Sequence, residues 1–184
     1  MPSILVISGS PSPASRTERI GDIAARWLTD EGCRTEHLRV RSLPAGPLLS
    51  ADVSHPAIAL AAGQVARADG VVLATPTYKA SFSGLLKSFL DLLPQFGLDG
   101  KAVLPLATGG SLAHVLVLDY ALRPVLHSLG ARHVVQGHFV LDQHVELKDG
   151  RPWIRPESRA GLDAVLEQFR AALPAGRSVT GAVH

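Results

Sequence analysis

Three short apolar runs fix most of what this chain can fold into. SILVIS (3–8), GVVLAT (70–75) and KAVLPLAT (101–108) carry almost no charge and are bounded by turn-forming residues. That is the pattern of a strand buried on both faces. Between these runs the spacing of apolar residues turns helical. Residues 16–31 set Ile20, Ile23, Ala24, Trp27 and Leu28 on one stripe, with Gly32 as the stop. Strands that alternate with helices, without repeats, require a parallel sheet covered on both sides.

The remaining segments fill in the alternation. RTEHLRV (34–40) reads as a polar strand near a sheet edge, and 42–56 as irregular, by its prolines and glycine. Helices are expected over 56–67 and over 83–96, the latter opened by Ser83. Pro76 is expected to end the third strand. A long helix over 112–129 holds Pro124 inside it, RHVVQGHFV (132–140) is the last strand, and a final helix covers 157–173, capped by Glu157 or Ser158. The expectation is one α/β domain over 1–174, a three-layer sandwich with five parallel strands in the flavodoxin-like order 2-1-3-4-5 and right-handed crossovers. Residues 175–184 read as a disordered tail.

Composition narrows the function classes. Of 184 residues only one is cysteine, Cys33, which excludes an internal disulfide and fits a reducing cytoplasm. Cys33 itself reads as a small hydrophobe entering a strand. Scattered arginines, a net charge of +2 and 5% aromatic residues give no nucleic-acid surface. No apolar run reaches the roughly 18 residues of a membrane span, and MPSILVISG reads as a first strand, not a signal peptide. His133 and His138, an odd number apart on one expected strand, would face opposite sides, and His127 and His144 have no ligand spacing, so no metal site is expected. Lys87 and Asp91, at i and i+4, read as a surface ion pair.

Ligands of such sheets sit beyond the carboxyl ends of the strands. The first strand ends in SGSPSPASRT, which is neither a dinucleotide fingerprint nor a Walker loop. Its hydroxyls run into a helix N-terminus, where free N–H groups and the helix dipole favour an anion, and Arg16 adds a charged fork. A terminal phosphate monoester suits this loop; helix capping and turns by the same serines are the plainer alternative. After the third strand comes TPTYKASFSG, where Tyr78 and backbone amides suit a flat heteroaromatic ring. After the fourth comes TGGSLAH, whose paired glycines permit close approach of a ring edge, with His114 one turn on. Phosphate at one loop and a planar ring at two describes flavin mononucleotide (FMN).

The blocks GSPSPASRT, ATPTYKASFSGLLKSFLDLLP and LPLATGGSLAHVLVLDYALRPVL resemble the NAD(P)H-dependent FMN reductases of the flavodoxin-like superfamily, above all the reductase component of two-component alkanesulfonate monooxygenase systems. The resemblance implies a phosphate held among Ser10, Ser15, Arg16 and Thr17. It implies Pro76, Thr77, Tyr78 and Lys79 beside the ring and ribityl chain, and Thr108, Gly109, Gly110 and Ser111, with His114 following, at the ring edge. Ser12 stands where the wider family often has arginine.

Tyr120 lies four residues before Pro124, which has no N–H to give the Tyr120 carbonyl, and a π-type turn is one way to absorb that defect. A simple proline kink is the alternative. In the resembling reductases a tyrosine in this block lies on a π-helical insertion at a subunit interface and is associated with flavin release. The implied reaction is hydride transfer from NADPH or NADH to FMN, needing geometry and no side-chain base. Reduced FMN would pass to a partner monooxygenase, and the apolar excess of 112–129 points to a homotetramer or dimer. The rivals are a reductase that keeps its FMN and reduces a quinone, azo dye or metal ion, and a flavodoxin-type electron carrier. Carriers are usually acidic, whereas this chain has a pI near 9.0.

Overall fold

The computed structural model describes residues 1–174; the tail expected over 175–184 lies outside them. The elements run β1 (Ser3–Ser8), α1 (Arg16–Asp30), β2 (Arg34–Arg39), α2 (Ala45–Leu49), α3 (Pro56–Arg67), β3 (Gly70–Tyr78), β4 (Ser81–Phe82), α4 (Gly84–Leu90) and β5 (Ala102–Gly109). They continue with α5 (Arg123–Ser128), β6 (His133–Val134), β7 (His138–Leu141), β8 (Val145–Lys148), β9 (Arg151–Ile154) and α6 (Pro156–Ala172). The α/β flavodoxin-like architecture is present, but both the count of five strands and the order 2-1-3-4-5 are corrected. The main sheet has seven strands, with path β2-β1-β3-β5-β6, β7 parallel on β5 beyond β6, and β4 antiparallel on β3.

Strand residues alternate between two cores, as the period of two demands. Leu5, Ile7, Val71, Leu73, Val103 and Ala107 face α3, α4 and α5. Ile4, Val6, Val72, Ala74, Leu104 and Leu106 face α1 and α6. Cys33 is buried in this second core beside Leu28.

Two prolines explain where the sheet departs from expectation. Pro76 does not end β3. The Gly9 amide donates to the Ala74 carbonyl at 2.9 Å, so alternate residues from Ala74 onward point at the β1 side. There β1 has already stopped, so the missing Pro76 N–H costs no ladder bond. Pro105 does the opposite. Val103 accepts from Val135 at 3.0 Å, so Pro105 points at the last strand and offers it no donor. The chain beside it breaks into β6 and β7, and a Cβ on Gly137 would lie 2.8 Å from the Pro105 carbonyl oxygen.

Elsewhere the chain is more segmented than its periodicity implies. The long helix over 112–129 is three pieces: a 3-10 turn at Leu112–His114, a π-helix at Val117–Leu122, and α5, with Pro124 in its first turn. α4 stops at Leu90, ahead of Pro94, and the 42–56 stretch contains α2. α6 starts at Pro156 behind Arg155, without a side-chain cap; Ser158 Oγ instead pairs with His144 Nδ1 at 2.8 Å. The hairpin β8–β9 was not expected; Lys148 Nζ stands 3.2 Å over the Trp153 ring within it. Among the described residues no helix is long and apolar enough to cross a membrane.

Candidate functional site

The loop after β1 is built by its own hydroxyls. The Ser12 amide donates to Ser10 Oγ at 3.3 Å, Ala14 to Ser12 Oγ at 3.2 Å and Glu18 to Ser15 Oγ at 3.0 Å, the last being the N-cap of α1. The turn-and-cap reading of these serines is therefore correct as far as it goes. Yet a hydroxyl that accepts from the backbone still has its own proton to donate. Ser83 anchors the base of the loop: its Oγ donates to the Gly9 carbonyl while accepting from Leu86 at 3.1 Å. A Cβ on Gly9 would come within 2.5 Å of Leu86 Cβ, so only glycine lets the loop lie this close to α4.

The first and fourth loops meet through one buried contact, Thr17 Oγ1 to Thr108 Oγ1 at 2.7 Å. Around them lies a cavity of about 200 Å³, bordered by Ser10, Ser12, Ala14, Ser15, Arg16, Thr17, Pro76, Thr77, Tyr78, Thr108 and Asp142. The structure thus brings together Ser10, Ser15, Arg16, Thr17, Pro76, Thr77, Tyr78 and Thr108. Arg16 is exposed, and among the described residues no carboxylate pairs with it. Thr77 Oγ1 is buried and has no hydrogen-bond partner. Such an atom calls for a polar partner, a water or a group of a ligand.

Five expected residues do not border this cavity: Lys79, Gly109, Gly110, Ser111 and His114. Lys79 and Ala80 are the tip of the β3–β4 hairpin, with φ of 49° and 62°. Gly109 answers to packing, since a Cβ there would lie 2.8 Å from Phe139 Cζ. Gly110 has open space where a Cβ would stand. Ser111 Oγ caps the next turn by accepting from Ala113 at 3.2 Å. His114 borders a neighbouring cleft of about 230 Å³ with Ala80, Leu116 and Tyr120. Tyr120 is on the π-helix and 77% exposed.

Asp142 was not anticipated. It follows β7 at the same sheet edge, so the strand-end rule, carried to the run ending at Leu141, singles it out. A larger open cleft of about 650 Å³, lined by Phe96, Asp99, His127 and Arg132, sits at the opposite edge, before β5 and β6. It has none of the converging hydroxyls. The parity argument for His133 and His138 does not apply, because they lie on separate strands.

The model of a family described as NADPH-dependent FMN reductase matches residues 2–146. The chain belongs to the NADPH-dependent FMN reductase family. It is an enzyme, an NAD(P)H:FMN oxidoreductase. An FMN reductase (NADPH) of Pseudomonas putida is 46% identical over 147 residues, 80% of this chain and 75% of that one. An FMN reductase (NADPH) of Escherichia coli (strain K12) is 41% identical over 170 residues, covering 92% and 89%. The apo crystal structure of an NADH:FMN oxidoreductase, EmoB, superposes with a TM-score of 0.87 at 44% identity, covering 96% of this chain and 92% of that one. The donor set of this FMN reductase fits its flavin: hydroxyl donors, a helix N-terminus and a guanidinium for an anion, and the orphaned Thr77 hydroxyl for a neighbouring polar group.

Proposed function

We propose that this reductase binds FMN transiently, phosphate first, and releases it reduced to a separate monooxygenase of the alkanesulfonate type in the cytoplasm. The observation that carries this reading is the cavity. At about 200 Å³ it is smaller than the roughly 300–1,000 Å³ that encloses a whole drug-sized ligand. It suits the phosphate and part of the polyol tail and leaves the ring on the open surface. A flavin enclosed only at its tail, with its ring touched along one side, can leave after turnover.

On this reading Ser10, Ser15 and Thr17 donate to the phosphate, Arg16 neutralises it, and the N-terminal amides of α1 add the helix dipole. Thr77 hydrogen-bonds the ribityl chain. Tyr78, 47% exposed, and Pro76 flank the ring on one side. The backbone at Thr108, Gly109, Gly110 and Ser111 borders its edge, with Lys79 and His114 further out. When bound, FMN supplies hydride-accepting chemistry, and the protein's part is orientation and charge. No side chain in the cavity is required as a proton donor.

Tyr120 is proposed to act in flavin release from a homo-oligomer, a tetramer or dimer. Leu112, Val115, Leu116 and Tyr120 are exposed on the segment between β5 and α5, an apolar patch that a second subunit would cover. Either nicotinamide nucleotide is admitted: the relatives include FMN reductases named for NADPH and, at 32% identity, an NADH-dependent FMN reductase, SfnE, of Pseudomonas putida.

NAD(P)H consumption with FMN, FAD and riboflavin tests this. Riboflavin lacks the phosphate and should show a much higher KM than FMN. Purified protein should be colourless, with FMN a saturable substrate. Equal KM for FMN and riboflavin would remove the phosphate from the first loop. Yellow protein with ping-pong kinetics would favour the flavin-retaining alternative.

A further inference from the structure

Glu18 stands in the first turn of α1, where a carboxylate and a bound phosphate compete for the same positive helix end. Its amide belongs to the frame of the cradle, through Ser15 Oγ. Its carboxylate, only 14% exposed, does not border the cavity and is held by two arginines from β2 and the turn after it. Arg39 Nε donates to Oε1. Arg41 grips both oxygens, with Nε on Oε2 at 3.1 Å and Nη2 on Oε1 and Oε2 at 3.2 and 2.9 Å. One turn along, Asp22 accepts from Arg39 Nη2 at 3.0 Å and from His37 Nδ1 at 2.8 Å. The other His37 nitrogen pairs with Ser8 Oγ at 3.0 Å, and Ser8 is the last residue of β1 before the cradle. Both acids on this flank of α1 are thus countered by the edge of the sheet.

We infer that Arg39 and Arg41 are positioning residues that set the preference for phosphorylated over dephosphorylated flavin, acting through Glu18. With them in place the cradle presents Arg16 and donors to an incoming dianion. Without them the Glu18 carboxylate, in the first turn of the same helix, is left uncompensated and repels the dianion. The inference rests on the phosphate assignment proposed above. A purely structural role, pinning β2 to α1, would affect all flavins alike.

The test compares KM for FMN and for riboflavin in the full-length enzyme, with circular dichroism to verify folding. Arg41→Gln, whose parent side chain has Glu18 as its partner, should raise KM for FMN about threefold, and Arg39→Gln/Arg41→Gln about tenfold, with riboflavin unchanged. The effect should shrink at high salt. Adding Glu18→Gln to Arg41→Gln should restore the KM for FMN. The inference is overturned if the two flavins weaken equally, if the ratio does not move, or if Glu18→Gln fails to restore it. If the unaltered enzyme uses FMN and riboflavin with the same KM, the phosphate assignment itself fails, and that is read before any variant is made.

Discussion

Ser10, Ser12 and Ser15 each accept from the backbone, so each oxygen is fixed in place and still has its own proton to donate. Arg16 supplies the charge that they lack. Arg16→Gln should therefore raise the KM for FMN about tenfold while leaving riboflavin little changed, by steady-state assay. Thr17 and Thr108 depend on each other in a buried setting. Thr17→Val leaves the Thr108 hydroxyl unpaired and should cost about 1–3 kcal/mol in urea unfolding. His138 offers a pH handle. Burial between β7 and α6 lowers its proton affinity, partly offset by a hydrogen bond to the Ser158 backbone, and its Nε2 has no partner. The folded state binds the proton more weakly than the unfolded chain, so this contribution is intact above pH about 6.5 and is lost as pH falls below it. The fall in Tm between pH 7.5 and 5.5 should be smaller in His138→Leu than in the parent.

The segments between strands carry more irregularity than the strands do. Lys79 and Ala80 both sit at positive φ in a two-residue hairpin turn, a conformation that asparagine and glycine fill with less strain. Lys79→Asn/Ala80→Gly should stabilise the fold by about 1 kcal/mol, read as a rise in Tm of about 2–4 °C. The π-helix at Val117–Leu122 is the companion irregularity, and Arg123 ties it down by donating to the Val134 and Val135 carbonyls at 3.1 and 3.3 Å. Such features show why element boundaries were only partly legible. A proline's effect in a strand depends on which neighbour its nitrogen faces. Sequence alone does not say that Pro76 faces a vacated side and Pro105 an occupied one. Periodicity likewise cannot separate one long helix over 112–129 from a 3-10, π and α relay with the same apolar content.

At the scale of the molecule the alternation of strands and helices was readable because buried parallel strands have to be apolar throughout. The hydroxyl-lined side of the cavity was readable for a similar reason: three serines lie between β1 and α1, with Ser8 ending the strand and Thr17 in the first turn of the helix. The side formed by the later strand ends was less so. Gly109 looks like ligand clearance but serves Phe139, and Asp142 enters from a strand whose end carries no motif. If the exposed face around Leu116 and Tyr120 joins subunits, Leu116→Glu should lower the mass measured by light scattering to that of one chain; an unchanged mass would exclude that face. The two rims of the sheet are also unalike. β2 presents Arg34 and Glu36 along its outer margin, and the opposite margin is interrupted beside Pro105, where β6 gives way to β7. Neither offers a long neutral stretch for another polypeptide to zip onto, so the protein is guarded against fibril-like self-templating at both rims. A single proline on the neighbouring strand β5 thus does for one rim what charge does for the other.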